Sequence, residues 1–271
     1  MEKSSYETTQ EFSGKQKQSC RNWLDLPEDI TGSILSRLRA IDILENAQLV
    51  CKTWLKMCKV NPLVWRTIDM DNDMLEDFYY GSLESMCHDL IDRSCGSLVK
   101  INVVRFGTNS LLKYITDSSS CGIRHLRLEK CRWITDEGLC AVASKFARLV
   151  ELDISECSMI SYKTLEVVGR SCPLLISLKW KFGFYDKGSN SMDYGDSIAR
   201  TMHGLHHLSL SGFKLTNEEL RNILESCPHL ETLDLGESFL PNLEQDLGRR
   251  CVEQITRKLR LPFDCFHQIQ H

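Results

Sequence analysis

The stretch IRHLRLEKCRWITDEGL, residues 123–139, decides how the rest of the chain is read. In Ile123-x-x-Leu126-x-Leu128 the last two leucines are two apart, the alternation of a short strand with one face buried. On that reading His125, Arg127 and Glu129 point the other way, because successive side chains in a strand leave opposite faces. Cys131 then precedes a turn, and Thr135-Asp136-Glu137-Gly138-Leu139 has the polar opening of a helix whose apolar face continues at Val142, Ala143 and Phe146.

The same unit recurs to either side. Its strand half appears as Leu98-Ile101-Val103, Leu149-Leu152-Ile154, Leu175-Leu178-Trp180, Leu205-Leu208-Leu210 and Leu230-Leu233-Leu235, with starts separated by 25, 26, 26, 30 and 25 residues. A looser copy, Trp65-Ile68-Met70, lies 33 residues before the first. Periods of roughly 20–29 residues with this pattern denote leucine-rich repeats, each a strand and a return segment or helix. Cys95, Cys172 and Cys227 stand three residues before a start, and Cys131 and Cys157 eight after, so these five read as buried small hydrophobes. Helices are expected after Ser161, with Leu165, Val168 and Cys172 on one face, and after Thr216, whose Glu219 completes a capping box. Each unit can bury its stripe only against its neighbours, so the array is one cooperative solenoid.

Residues 23–65 differ in character. Pro27, Glu28 and Asp29 suit a helix start, with Ile30, Ile34, Leu35 and Leu38 on one face. Asp42 with Glu45 predicts the cap of a second helix, and Val50, Cys51, Trp54 and Leu55 mark a third, closed by Pro62. Three such short helices make a poor independent core, which points to an apolar face kept for a partner. Leu26-Pro27-Glu28, Ile34-Leu35-Ser36-x-Leu38, Asp42-Ile43, Val50-Cys51-Lys52-x-Trp54 and Leu63-x-Trp65 together resemble an F-box. With the repeats, residues 23–258 are similar to plant-type F-box/leucine-rich-repeat proteins of the cysteine-containing subclass.

The resemblance implies an α/β fold: a polar tail at 1–20, a three-helix F-box at 21–65, and an open-arc solenoid of six to seven units at 66–242. A capping helix is expected at 243–259, from the recurrence of Leu243, Leu247, Cys251, Ile255 and Leu259, followed by a tail at 260–271. It further implies the substrate-recognition subunit of an SCF-type cullin–RING E3 ubiquitin ligase, which reaches the cullin and RING subunits through a small adaptor and presents a protein for ubiquitination and proteasomal degradation. Leu26, Pro27, Ile30, Ile34, Leu35, Leu38, Ile43, Val50, Cys51 and Trp54 then touch the adaptor or hold the F-box together, with contact expected first for Leu26, Pro27, Ile34 and Leu35. A repeat scaffold or small-ligand receptor acting outside ubiquitination is the alternative.

Composition narrows the rest. Lys plus Arg total 33 against 37 acidic residues, a net charge of −4, which does not suit a nucleic-acid partner. The longest stretch free of charged residues, Thr201–Phe213, has 13 residues, short of the ~20 of a membrane-spanning helix. Met1–Cys20 lacks the apolar core of a signal peptide, so thirteen reduced cysteines and a place in the cytoplasm or nucleus are expected. His203, His206, His207, Cys227 and His229 invite a zinc reading, but two of them sit in a repeat strand and no Cys-x-x-Cys occurs. Neither cofactor nor metal is expected, and with nucleotide-loop, nucleophile-elbow and zincin motifs absent the chain reads as non-catalytic.

Solenoids commonly bind on the concave face, lined by the residues between the repeat leucines. Arg127, Glu129, Glu151, Asp153, Lys179, Lys181 and His207 fall there, in alternating charge that suits a partner of both signs. The overlong unit adds Phe182, Phe184, Tyr185 and Tyr194 in a Gly- and Ser-containing insertion, which either bind a partner or cover their own repeat's core.

Overall fold

The structure is a computed structural model describing residues 26–71, 80–120, 122–182 and 193–262. The expected tails at 1–20 and beyond 262, and the expected site residues Phe184 and Tyr185, lie outside the described residues.

Among the described residues eight parallel strands hydrogen-bond in chain order into one open sheet: β1 (Thr67–Met70), β2 (Lys100–Val104), β3 (His125–Glu129), β4 (Glu151–Ser155), β5 (Ser177–Lys181), β6 (His207–Ser211), β7 (Thr232–Asp234) and β8 (Lys258–Arg260). The register stacks Ile68, Ile101, Leu126, Leu152, Leu178, Leu208, Leu233 and Leu259 in one row, so the repeat pattern and the hydrogen-bond ladder select the same alignment. The chain after each of β2–β4 and β6 turns through a left-handed residue: Arg105, Lys130 and Glu156 at φ 77°, 54° and 56°, and Gly212 at 81°. The amide of each donates to a carbonyl of the next unit, at 2.8, 2.8, 2.7 and 3.2 Å, which carries the ladder past the strand ends.

Helices return on the opposite side: α5 (Tyr80–Arg93), α6 (Asn109–Ser118), α7 (Asp136–Val142), α8 (Tyr162–Ser171), α9 (Tyr194–Thr201), α10 (Asn217–Ser226) and α11 (Gln245–Gln254). Thr108, Thr135 and Ser161 cap α6, α7 and α8 by accepting from backbone amides, and Thr216 with Glu219 forms the expected capping box on α10. No helix among the described residues is long and apolar enough to cross a membrane.

The N-terminal segment folds as α1 (Glu28–Leu35), a helical run from α2 (Ala40–Asp42) through a π turn at Ile43–Ala47 to α3 (Gln48–Val50), and α4 (Lys52–Val60). The Cys51 thiol accepts from the Trp54 amide at 3.4 Å to start α4, and the Trp65 indole donates to the Cys58 carbonyl at 2.7 Å. Leu35, Ala40, Ile43, Met57, Cys58 and Trp65 join the same continuous core that runs to Leu261, with α2 packed on β1. The small helical domain therefore completes its core on the solenoid, and in doing so covers the β1 edge.

Three local expectations are corrected. Asp42 does not cap the second helix: the helix begins at the buried Ala40, and Asp42 sits in its first turn paired with Arg39 at 3.0 Å. Cys95 is exposed at φ 46°, while Ser94 is fully buried and its hydroxyl donates to the Ile91 carbonyl at 2.6 Å. The column is shifted by one residue there because α5 ends at Arg93. Finally, 243–259 is not one capping helix. The helix ends at Gln254, Ile255 turns extended, and Lys258–Arg260 becomes β8. The β7 edge offers unmet backbone groups, and β8 meets them: Arg257 N–H donates to Glu231 O at 3.0 Å and Leu235 N–H to Arg260 O at 2.6 Å. Leu261, placed in the tail by sequence, is buried.

Candidate partner-binding surfaces

Two surfaces carry the expected site residues. On the N-terminal helices the structure separates contact positions from core. Leu35 and Ile43 are 0% and 1% exposed, so Leu35, expected as a contact, is corrected to a residue that holds the helices together. It lies on the expected helix stripe, and its side chain joins the continuous core where α1 packs on α4 and on the turn at Pro62–Trp65. Pro27, Ile30, Leu38 and Val50 are exposed, and Leu26, Ile34, Cys51 and Trp54 are half-buried. Leu49 and Val60, which sequence reasoning passed over, and Leu63, placed only in the F-box pattern, are also exposed. Val60 falls off the Met57–Cys58 stripe of α4 and Leu63 off the buried Val64–Trp65 pair, whereas Leu49 lies in α3, which buries none of its residues.

The concave face is organised by the sheet register. One row across the strands runs Asp69, Asn102, Arg127, Asp153, Lys179, Ser209, Asp234 and Arg260. The guanidinium of Arg127 contacts Asp71 at 3.7 Å, Asp153 at 3.5 Å and Glu129 more closely, and Lys179 reaches Asp153 at 2.9 Å. Four expected site residues, Arg127, Glu129, Asp153 and Lys179, thus form one ion-pair network across β3–β5. Burial pushes the Glu129 carboxyl up, but Arg127 and Lys130 outweigh it and hold the group below the usual carboxylate range. His125 Nδ1 lies 2.8 Å from Glu151, and these two with Lys100, Arg127 and Lys179 line a cavity of about 190 Å³.

Lys181 stands apart from that network, pairing with Glu237 at 3.4 Å and Glu156 at 3.9 Å. His207 shares a hydrogen bond with the Thr232 hydroxyl at 3.1 Å, and the rings of His206 and His229 stack at 5.8 Å. Among the described residues no three His, Cys, Asp or Glu side chains are grouped to hold a metal ion. Cys131, Cys157, Cys172 and Cys227 are buried thiols, and burial pushes Cys172 and Cys227 up to about 12 and about 11. At neutral pH neither is a nucleophilic thiolate.

The aromatic expectation is corrected in two of its four residues. Tyr194 opens α9 and is 7% exposed, its ring edge-on to Phe213 at 5.0 Å, Phe182 at 5.4 Å and Tyr162 at 5.9 Å. Phe182 is half-buried on the same core, tilted against Phe213 at 4.6 Å. Both pack on the core of the long repeat instead of presenting a free binding surface, with Phe213 as their shared aromatic partner.

A family model described as F-box-like matches residues 23–71. The chain is 46% identical to Arabidopsis thaliana F-box/LRR-repeat protein 23 over 90% of its own length and 54% of that protein. It is 44% identical to the Arabidopsis thaliana F-box protein SKIP19 over 92% of its own length and 80% of that protein. The chain thus spans about half the length of the first relative and four-fifths of the second. A solved leucine-rich repeat-containing protein, LegL7 from Legionella pneumophila, aligns with a TM-score of 0.42 at 16% identity over 74% of this chain and 67% of that one.

Proposed function

The chain belongs to the F-box/leucine-rich-repeat family, and from that premise we propose that it is the substrate-recognition subunit of an SCF-type cullin–RING ubiquitin ligase, at work in the cytoplasm or nucleus. Its F-box docks on the adaptor subunit and its solenoid captures the protein to be ubiquitinated. Proteins of this family are generally non-catalytic, and the chain contributes binding rather than chemistry.

The observation that carries this reading is the distribution of exposed apolar side chains. Ile30, Leu38, Leu49, Val50, Val60 and Leu63 all stand exposed within 34 residues, whereas the rest of the described chain spreads seven such side chains over its whole length. Exposed apolar surface of that density on a domain that already completes its core elsewhere suits a permanent protein partner. Pro27 is exposed beside them, and Leu26, Ile34, Cys51 and Trp54 supply the half-buried margin of the proposed contact.

The test is co-purification of the full chain with the adaptor subunit, compared with Leu49→Glu combined with Val50→Glu. Both side chains are exposed, so the fold is retained and adaptor affinity falls about 100-fold, the size of a lost hot-spot pair. An unchanged complex with that double variant, or no complex with the parent chain, refutes the adaptor reading and leaves a repeat scaffold acting outside ubiquitination.

A further inference from the structure

The register decides which side chains stand on the concave face, at the first, third and fifth positions of each strand, without reference to their charge. Sorted strand by strand, those charges segregate. Over β1–β4 the acids are Asp69, Glu129, Glu151 and Asp153, with Asp71 one residue past β1 and facing Arg127, and the bases are Lys100 and Arg127: five against two, a net of −3. Over β5–β8 the bases are Lys179, Lys181, Lys258 and Arg260, and the acid is Asp234: four against one, a net of +3. The rim residues that pair with this floor, Lys130, Glu156 and Glu237, leave both signs as they are. The sign changes between β4 and β5, where Lys179 bonds Asp153 at 2.9 Å.

Distance decides whether the two halves act together or cancel. Parallel strands lie ~4.8 Å apart, so the centres of the halves are about 19 Å apart, while charges in physiological salt are screened over ~8 Å. A partner therefore meets two separate poles. A uniformly charged partner gains on one half and is repelled on the other. A second observation marks the acidic half: Asn102, on its floor, is 5% exposed, and its Oδ1 receives no hydrogen bond among the described residues. Its amide is committed to Asp69 at 2.7 Å. That leaves an acceptor unmet where the carboxylates already exceed the cations, a surplus suited to donor groups.

We propose that the concave face takes an extended protein segment of both signs lying across the strands, its basic stretch over β1–β4 on the F-box side and its acidic stretch over β5–β8. Eight strands span about 34 Å, which an extended segment of roughly ten residues covers. The inference rests on the reading that this face captures a protein, and it names the chemistry of the captured segment.

The probes are two fluorescent peptides of identical composition, one with four lysines, a Ser-Gly-Ser-Gly spacer and four glutamates, the other with the same charges alternating. Octalysine and octaglutamate complete the set. Binding to the full chain is read by anisotropy at about 50 mM and about 500 mM salt, where screening lengths differ several-fold. The block peptide binds about tenfold tighter than the alternating one at low salt, and the advantage collapses at high salt. Lys179→Glu with Lys181→Glu removes that advantage and raises octalysine affinity, with the urea midpoint of the variant measured alongside to show that it is folded. A photo-crosslinker at the lysine end marks residues of β1–β4, and one at the glutamate end marks β7 or β8. Equal binding of block and alternating peptides overturns the proposal, as does a homopolymer that binds the parent chain tighter than the block peptide. Adaptor binding is measured separately on the same chain. Its loss with the peptide preference intact defeats the ligase reading alone, and its retention without the preference defeats this inference alone.

Discussion

Replacing Tyr194 by alanine separates a core role from a binding role for the aromatic residues of the long repeat. The ring is 7% exposed and lies edge-on to three others, with interplanar angles of 78°, 79° and 82° to Phe213, Phe182 and Tyr162. Truncating a buried aromatic to alanine costs about 3–5 kcal/mol, and edge-to-face pairs contribute roughly 0.5–1.5 kcal/mol apiece within that loss. With three pairs broken and α9 left without its first anchoring side chain, the expected loss is about 4 kcal/mol. For a chain of this size that lowers the melting midpoint by roughly 8–16 °C. Phe182→Ala, at a half-buried site on the same cluster, loses about half as much. The assay is urea unfolding of the full chain and both variants, with partner capture measured at a temperature where all are folded. A Tyr194→Ala chain within about 1 kcal/mol of the parent that nonetheless fails to capture its partner refutes the packing argument.

Three further outcomes follow from the same geometry. A chain ending at Arg257 loses β8 and the buried Leu261, and is less stable by about 3 kcal/mol than one ending at Pro262, which keeps both; equal urea midpoints refute the strand assignment. Gly212→Ala places a Cβ at φ 81° and 3.2 Å from Phe182, costing about 1–2 kcal/mol, whereas Gly204→Ala meets nothing nearer than 3.6 Å and is nearly neutral in thermal unfolding. The carboxyls of Glu129, Asp234 and Glu237 are held below their ordinary values of 4.5, 3.8 and 4.5 by their cationic and hydrogen-bonding neighbours. The folded chain therefore favours their ionised forms. Their stabilisation is complete above those ordinary values and drains as pH falls below them, so the urea midpoint declines from about pH 5 downward and is flat from there to pH 7.

The period and register of the solenoid were legible in the sequence because each unit repeats one local problem. Leu126 and Leu128 alternate with His125, Arg127 and Glu129, and that alternation leaves a strand only one way to face the core. The helix caps at Ser161 and Thr216 were legible for a similar reason, since a cap bonds amides two or three residues away. What needed the tertiary structure depended on neighbours far along the chain. Leu259 continues a four-residue apolar recurrence, yet it joins a strand because the edge of β7 leaves backbone groups that only an extended chain can pair. Leu35 and Ile30 share a helix stripe, and only the packing of α1 on α4 and on the turn at Pro62–Trp65 decides that the first is core and the second exposed. Tyr194 was an aromatic near a loop until Phe182 and Phe213 closed around it. The concave charges were visible one unit at a time, but their sorting into a negative and a positive half depends on all eight strands being aligned, a sum over the sheet that no single repeat contains.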